Sequence, residues 1–143
     1  MIYSGTGRAM TERFEGCRQQ AYKDNGGIWT CGYGHTRNVG PSTTCTLSVA
    51  DQWLAYDTQT AAYTVNSSVT APLTQGEFDA LVDFCFNCGC TAFTPSTMLD
   101  LLNARDYEAA SLEFERWDKC DGTVIAGLLR RRIAEKDEFN GQT

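Results

Sequence analysis

The sequence predicts an α+β fold, mostly helical, with one small antiparallel sheet near the N-terminus. Three features carry that expectation. Apolar residues recur at helical spacing from Thr46 onward, a glycine-rich stretch with hairpin signals occupies residues 24–34, and a short helical segment precedes it. No repeat or Pro/Ser-rich linker divides the chain, so residues 1–143 are expected to form a single domain of two lobes, with the sheet in the N-terminal one.

Taken in order, Met10 and Phe14 stand i, i+4 after Thr6 and predict a helix ending near Glu15-Gly16. Asp24-Asn25-Gly26-Gly27 is a turn signal, because Asn-Gly tolerates the positive φ angles of tight hairpins. It joins Gln20-Ala21-Tyr22 to Ile28-Trp29-Thr30-Cys31, continued by Gly32-Tyr33-Gly34-His35. From Thr46, the residues Leu47, Ala50, Leu54, Ala61 and Val65 mark one long helical stretch that links the lobes. Thr74-Gln75-Gly76-Glu77 is a capping box, followed by the apolar face Phe78, Leu81, Val82 and Cys85 and ended by Gly89. Thr94 is expected to cap the next helix, with Pro95 in its first turn and Met98, Leu99 and Leu102 buried. Asp106 caps another, carrying Ala109, Ala110, Leu112 and Trp117. The last helix is expected from about Val124, through Leu128, Leu129 and Ile133, to Phe139.

Composition narrows the function classes. With 42% hydrophobic, 11% aromatic and 21% charged residues in 143, the chain can bury a core and is not disordered. Its apolar runs fall far short of the roughly 20 residues that span a bilayer, so membrane insertion is excluded. Residues 1–8 lack the pattern of a secretory signal, which predicts synthesis and folding in a cytosol. Twelve basic against 18 acidic residues, a net charge of −6, argue against nucleic acid as partner. Seven cysteines, an odd number in a cytosolic chain, are expected as free thiols.

The chemistry concentrates between Glu15 and Thr36. A carboxylate at a helix end (Glu15) faces a hairpin with a second carboxylate at its turn (Asp24) and a hydroxyl on its far strand (Thr30). Cleaving a glycosidic bond needs such a set: one carboxyl held protonated for the leaving oxygen, another ionised to assist water or the developing positive charge. Glu15, between Phe14 and the interior, suits the acid; Asp24, in a polar turn, suits the ionised group; Thr30 could hold the water. Singly, each has a plainer role as helix-end carboxylate, turn former or strand residue. Their joint spacing, with Gly32 and Gly34 where backbone can approach a sugar, reverses that preference.

The spacing of Glu15, Asp24 and Thr30, inside Glu15-Gly16-Cys17-Arg18-Gln19-Gln20-Ala21-Tyr22-Lys23-Asp24 and Thr30-Cys31-Gly32-Tyr33-Gly34-His35-Thr36, resembles the phage-type lysozymes of glycoside hydrolase family 24, in particular the endolysins of lambdoid and related phages. Phe84-Cys85-Phe86-Asn87-Cys88-Gly89, Ala92 to Thr97, Trp117, and Gly127 to Glu135 extend the similarity over about residues 9–140. The resemblance implies a lysozyme-like fold with a cleft between two lobes. It also implies hydrolysis of the β-1,4 bond between N-acetylmuramic acid and N-acetylglucosamine in bacterial peptidoglycan. Glu15 then matches the general acid, Asp24 the second carboxylate and Thr30 the hydroxyl that positions water. Gly34, Thr36, Phe86, Asn87 and Ser96 match cleft-lining positions. His35 matches a histidine in a structural ion pair with a carboxylate of the helical lobe, and an arginine of the run 130–132, with Arg131 as the candidate, matches a cation beside the acid. No cofactor or metal is implied. The enzyme would act as a monomer in the periplasm, released by a membrane-disrupting holin to lyse the host.

Cys85, Cys88 and Cys90 form C-x2-C-x-C, but no second ligand pair lies nearby, and core thiols are the simpler account. Cys17 and Cys31 flank the candidate set, so oxidation of either is expected to alter activity. A lytic transglycosylase would need one acid and no water, and a non-catalytic glycan-binding module would lack one of the three groups; Asp24 and Thr30 together favour hydrolysis. With net charge −6 the chain should meet an acidic polymer with little long-range attraction, apart from a local basic patch around Arg130, Arg131 and Arg132.

Overall fold

A computed structural model of the chain describes residues 1–120 and 122–143. Helix α1 (Gly5–Glu15) starts where the Ser4 hydroxyl accepts the Gly7 N–H and stops at Gly16, whose φ of 68° ends the helix at the expected place. Strands β1 (Arg18–Lys23) and β2 (Trp29–Gly32) form the expected antiparallel hairpin, with Tyr22 opposite Thr30. The turn is held by Asp24 itself. Its Oδ1 accepts the N–H groups of Gly26 and Ile28 at 2.8 and 2.9 Å, a local arrangement that aspartate is suited to make.

Beyond Gly32 the chain reverses instead of extending the strand, since Cys31 and His35 exchange both backbone bonds at 2.9 Å. The segment Thr43–Cys45 then pairs with β1 on the side away from β2, through Ala21 N–H to Thr43 O and Cys45 N–H to Gln19 O. This third strand-like piece has no apolar alternation to announce it.

The long helix expected from Thr46 divides into α2 (Leu47–Asp57) and α3 (Gln59–Ser68). Thr58 sits at the break, and its hydroxyl donates back to the Leu54 carbonyl at 2.9 Å, a bond that competes with the helix ladder and bends it. Ala50, Leu54, Ala61 and Val65 are buried as expected, whereas Leu47 is exposed.

Helix α4 (Gln75–Cys88) is the centre of the helical lobe and packs against α1, α3 and the C-terminal helix. Its capping box forms as read, with Thr74 Oγ1 accepting the Glu77 N–H and Glu77 Oε2 accepting the Thr74 N–H. It is buried all round from Phe78 to Cys85, not along one stripe. Phe84 is the hub: Phe93, Phe114 and Trp117 meet it edge-on at centroid distances of 6.3, 5.7 and 5.4 Å. Truncating such a ring to alanine costs about 3–5 kcal/mol.

A short helix α5 (Cys90–Phe93) follows, and it moves the next cap. Thr94 closes the α5 turn through its N–H to Cys90 O, so the cap of α6 (Thr97–Asn103) is Ser96 and not Thr94. Asp106 caps α7 (Tyr107–Glu113) as expected, but Leu112 points outward, 59% exposed, and Trp117 belongs to a 3₁₀ turn, Phe114–Trp117. Two-residue strands β3 (Lys119–Cys120) and β4 (Thr123–Val124) take up Val124, so the last helix, α8, runs Ala126–Phe139. The hairpin rests on α2 through β2.

Candidate active site

Glu15 is the last residue of α1, with its side chain 24% exposed. Its Oε1 accepts a hydrogen bond from Arg131 Nη1 at 2.7 Å. Gly34, at φ 82°, lies against the other oxygen: a Cβ placed there would sit 3.7 Å from Glu15 Oε2. That oxygen accepts no hydrogen bond among the described residues.

Asp24 and Thr30 belong to the hairpin. Asp24 Oδ1 is occupied by the two turn N–H groups, while Oδ2 accepts no hydrogen bond among the described residues. Thr30 is buried, and its hydroxyl donates to the Ile28 carbonyl at 3.0 Å, which leaves its oxygen able only to accept. Local sequence builds this arrangement, since the Asp-Asn-Gly-Gly turn fixes the register in which Thr30 stands opposite Tyr22.

The three consecutive arginines separate cleanly. Arg130 is exposed. Arg132 is fully buried, donating to Glu135 Oε1 at 2.6 Å and to Asn87 Oδ1 at 2.9 Å. Arg131 alone reaches Glu15, and its other edge grips Asp83, Nε to Oδ2 at 2.9 Å and Nη2 to Oδ1 at 2.8 Å. The expected basic patch of all three therefore does not form. Arg130 is joined instead by Arg13 on an open cavity of about 560 Å³, lined also by Phe14, Asn87 and Leu128 and abutting Arg131. Neither Arg13 nor Arg130 makes an ion pair among the described residues, and no carboxylate lines the cavity.

His35 is buried, its Nδ1 2.8 Å from Asp57 Oδ2 and its ring stacked on Trp53 at 4.5 Å. It joins the sheet lobe to the end of α2. Thr36 is exposed on the loop after it, and Phe86 and Asn87 are half-buried at the end of α4. Ser96 stands apart from the other cleft-lining candidates. It is buried, and its hydroxyl both donates to Phe93 O at 2.6 Å and accepts the Leu99 N–H at 3.2 Å, which makes it the α6 cap.

Sequence reasoning missed Asp83 and Cys45. The signal for Asp83 was present: a lone carboxylate inside Leu81-Val82-Asp83-Phe84-Cys85 must be buried and must find a cation. Burial alone would push its carboxyl up, but the bonds and charge of Arg131, with bonds to Glu135 and Thr11, outweigh it and bring it down to about 2. Cys45 Sγ lies 3.6 Å from Cys31 Sγ, although 14 residues separate them. Among the described residues no group of His, Cys, Asp and Glu is placed to hold a metal ion.

Comparison with known proteins finds relatives over most of the chain. The family model described as Phage lysozyme matches residues 12–135, which include all the groups above from Glu15 to Arg131. An endolysin of Acyrthosiphon pisum secondary endosymbiont phage 1 is 41% identical over 143 residues, covering 97% of this chain and 98% of that protein. Two solved structures superpose over most of their length. The muramidase domain of SpmX from Asticaccaulis excentricus has a TM-score of 0.90 at 39% identity, over 96% of each chain. The endolysin from Escherichia coli O157:H7 phage FAHEc1 has 0.93 at 32%, over 100% of this chain and 96% of that one. With most of its length matched by the family and by a near-full-length relative, this chain belongs to the phage lysozyme family.

Proposed function

We propose that the protein is a phage endolysin that hydrolyses the β-1,4 bond between N-acetylmuramic acid and N-acetylglucosamine in bacterial peptidoglycan. The observation that carries this reading is the asymmetry of the Glu15 carboxyl. One oxygen is occupied by Arg131, and the other, next to Gly34, accepts no hydrogen bond among the described residues and is left for a leaving oxygen. A proton on Oε2 is then aimed at the substrate and not at the protein.

Asp24 and Thr30 supply the water side. Because the Thr30 proton is committed to Ile28 O, the hydroxyl can only accept, as can the open Oδ2 of Asp24. A water that donates one hydrogen to each keeps its own lone pair for the sugar carbon, while the Asp24 carboxylate opposes the positive charge developing there. Arg131 orients the acid. His35 acts through structure, its ring enclosed between Asp57 and Trp53.

The same reading makes residues 1–143 one catalytic domain, since Arg131 near the C-terminus completes a site begun at Glu15. It also makes the monomer sufficient, because every group comes from one chain. Synthesis in the host cytoplasm, passage through a membrane opened by a holin, and action in the periplasm complete the proposal. No helix among the described residues is long and apolar enough to cross a membrane.

Zymography on Gram-negative cell walls tests the proposal, comparing wild type, Glu15→Gln and Asp24→Asn. Each substitution is expected to reduce clearing by about 10²- to 10⁴-fold. Mass spectrometry of released fragments should show reducing ends. Anhydro ends would make the protein a lytic transglycosylase, and undiminished clearing by Glu15→Gln would overturn the assignment of the acid.

A further inference from the structure

An arginine beside a catalytic acid presents a conflict of charge. A cation within a few ångströms makes a carboxyl about 10- to 1,000-fold harder to protonate, yet an acid catalyst must begin its cycle with the proton on. The remedy lies on the other side of the guanidinium. Asp83, wholly buried in α4, takes the Nε and Nη2 edge of Arg131 with two near-parallel bonds of 2.9 and 2.8 Å. Thr11 Oγ1 donates to Asp83 Oδ1 at 2.6 Å, and the Tyr3 hydroxyl meets Thr11 in turn, so the carboxylate is braced from α1 as well.

This geometry gives Arg131 a full counter-charge before Glu15 is considered. A bidentate, buried arginine–carboxylate pair is the strong form of this contact, and its charges cancel at a distance. Glu135 also faces this cluster, its Oε1 2.6 Å from Arg132 Nη2 and 3.9 Å from Arg131 Nε, and burial beside Asp83 pushes its carboxyl up, so the counter-charge held directly against Arg131 is Asp83. Arg131 then meets Glu15 through Nη1 alone, as a hydrogen-bond donor with a defined direction.

We propose that Asp83 is a positioning residue for the glycosidic reaction: it locks the Arg131 fork so that Nη1 orients Glu15, and it cancels the arginine charge so that the orienting bond does not hold Glu15 in its ionised form. The inference rests on the reading of Glu15 as the acid. It assigns a separate task to a residue that never touches substrate, and it explains why a charged residue stands in the apolar centre of α4.

The test is the pH dependence of kcat/KM on a soluble peptidoglycan oligomer for wild type, Asp83→Asn, Arg131→Gln and the double variant. In Asp83→Asn the arginine is uncompensated, and the alkaline limb should move to lower pH by about one unit, an approximately tenfold loss near neutrality that shrinks toward acid. In the double variant the limb should return to the wild-type position or above it, with kcat lowered at every pH through lost orientation. An unmoved alkaline limb in folded Asp83→Asn, with activity reduced equally at all pH values, overturns the proposal. If Asp83→Asn does not fold, Arg131→Gln and the double variant carry the test, since they differ only in the Asp83 charge. The limb should lie higher in Arg131→Gln, and coincident limbs overturn the proposal. Failure of wild type to cleave the oligomer would instead remove the acid assignment itself, and this inference with it.

Discussion

Arg131 Nη1 lies 2.7 Å from Glu15 Oε1, a contact made between residues 116 apart in the chain, and the same guanidinium holds Asp83 with its remaining edge. One side chain thus ties α8 to both α1 and α4. Lysine carries the charge but lacks the fork, and cannot serve two carboxylates in fixed directions. Arg131→Lys is expected to lower kcat by about 10- to 100-fold with a smaller change in KM, because a misdirected acid costs turnover more than binding. Steady-state kinetics on soluble glycan checks this; a change confined to KM would show that Arg131 serves binding.

The same cluster sets a pH limit on stability. The Asp83 carboxyl is lowered in the folded protein to about 2, against an ordinary value near 4 in the unfolded chain. A lowered folded value gives stability that is fully present above the unfolded value and is lost as pH falls through the folded one, here between about pH 4 and pH 2. Its proton-linked part is on the order of 2 kcal/mol. Urea unfolding of wild type and Asp83→Asn should therefore show a gap that is constant above about pH 5 and narrows toward pH 2. A gap independent of pH would refute the ionised, Arg131-bound Asp83.

His35 is the chain's single histidine and invites an acid–base role, but its contacts are Asp57 and Trp53. His35→Ala should cost about 2–4 kcal/mol through loss of the bond and the stacked ring. Activity per folded molecule should stay within about threefold of wild type, since catalytic acid–base groups contribute far more. Thermal denaturation paired with active-site-normalised rates separates the two roles.

Cys31 and Cys45 stand 3.6 Å apart, next to Thr30 and to the start of α2. Burial and the neighbouring Cys31 thiol push the Cys45 thiol up to about 11, so little thiolate exists at neutral pH and oxidation there should be slow. Diamide at alkaline pH should remove one hydrogen from each thiol, forming a disulfide that mass spectrometry reads as the loss of two hydrogens. Activity should change with it and recover on reduction, because the bond would pull on the strand that carries Thr30. Identical activity in oxidised, reduced and Cys31→Ser protein would remove the link.

The net charge is −6, Arg131 and Arg132 turn inward, and on the cavity beside Arg131 the cations without an ion pair among the described residues are Arg13 and Arg130. Lytic activity on walls should respond weakly to salt, or rise with it, as repulsion between two acidic polymers is screened. Strong inhibition by about 0.1–0.2 M salt would contradict this.

Local features were legible where neighbouring residues decide the geometry. The Asp-Asn-Gly-Gly turn, the Thr74 capping box, the Asp106 cap and the stop at Gly16 each involve groups within a few residues, so residue type alone suffices. The misreadings share a different cause. Thr94-Pro95 has the composition of a helix start, but α5 reaches Thr94 first and hands the cap to Ser96. Thr58 has the spacing of a helix interior, and only its back-bonded hydroxyl shows the break. The Thr43–Cys45 strand and the β3–β4 pair are too short to show a period of two.

The sequence by itself determined the candidate set Glu15, Asp24 and Thr30, because a helix end and a tight hairpin within 16 residues place those groups whatever surrounds them. Only the tertiary structure decided which arginine serves Glu15. Consecutive helical residues point about 100° apart, so Arg130, Arg131 and Arg132 are identical in type and differ only in what α8 packs against. The same packing turned Asp83 from an anomaly in an apolar helix into the partner of Arg131, and brought Cys45 against Cys31. Side-chain identity specifies what a group can do; the phase of a helix against its neighbours specifies which group is in position to do it.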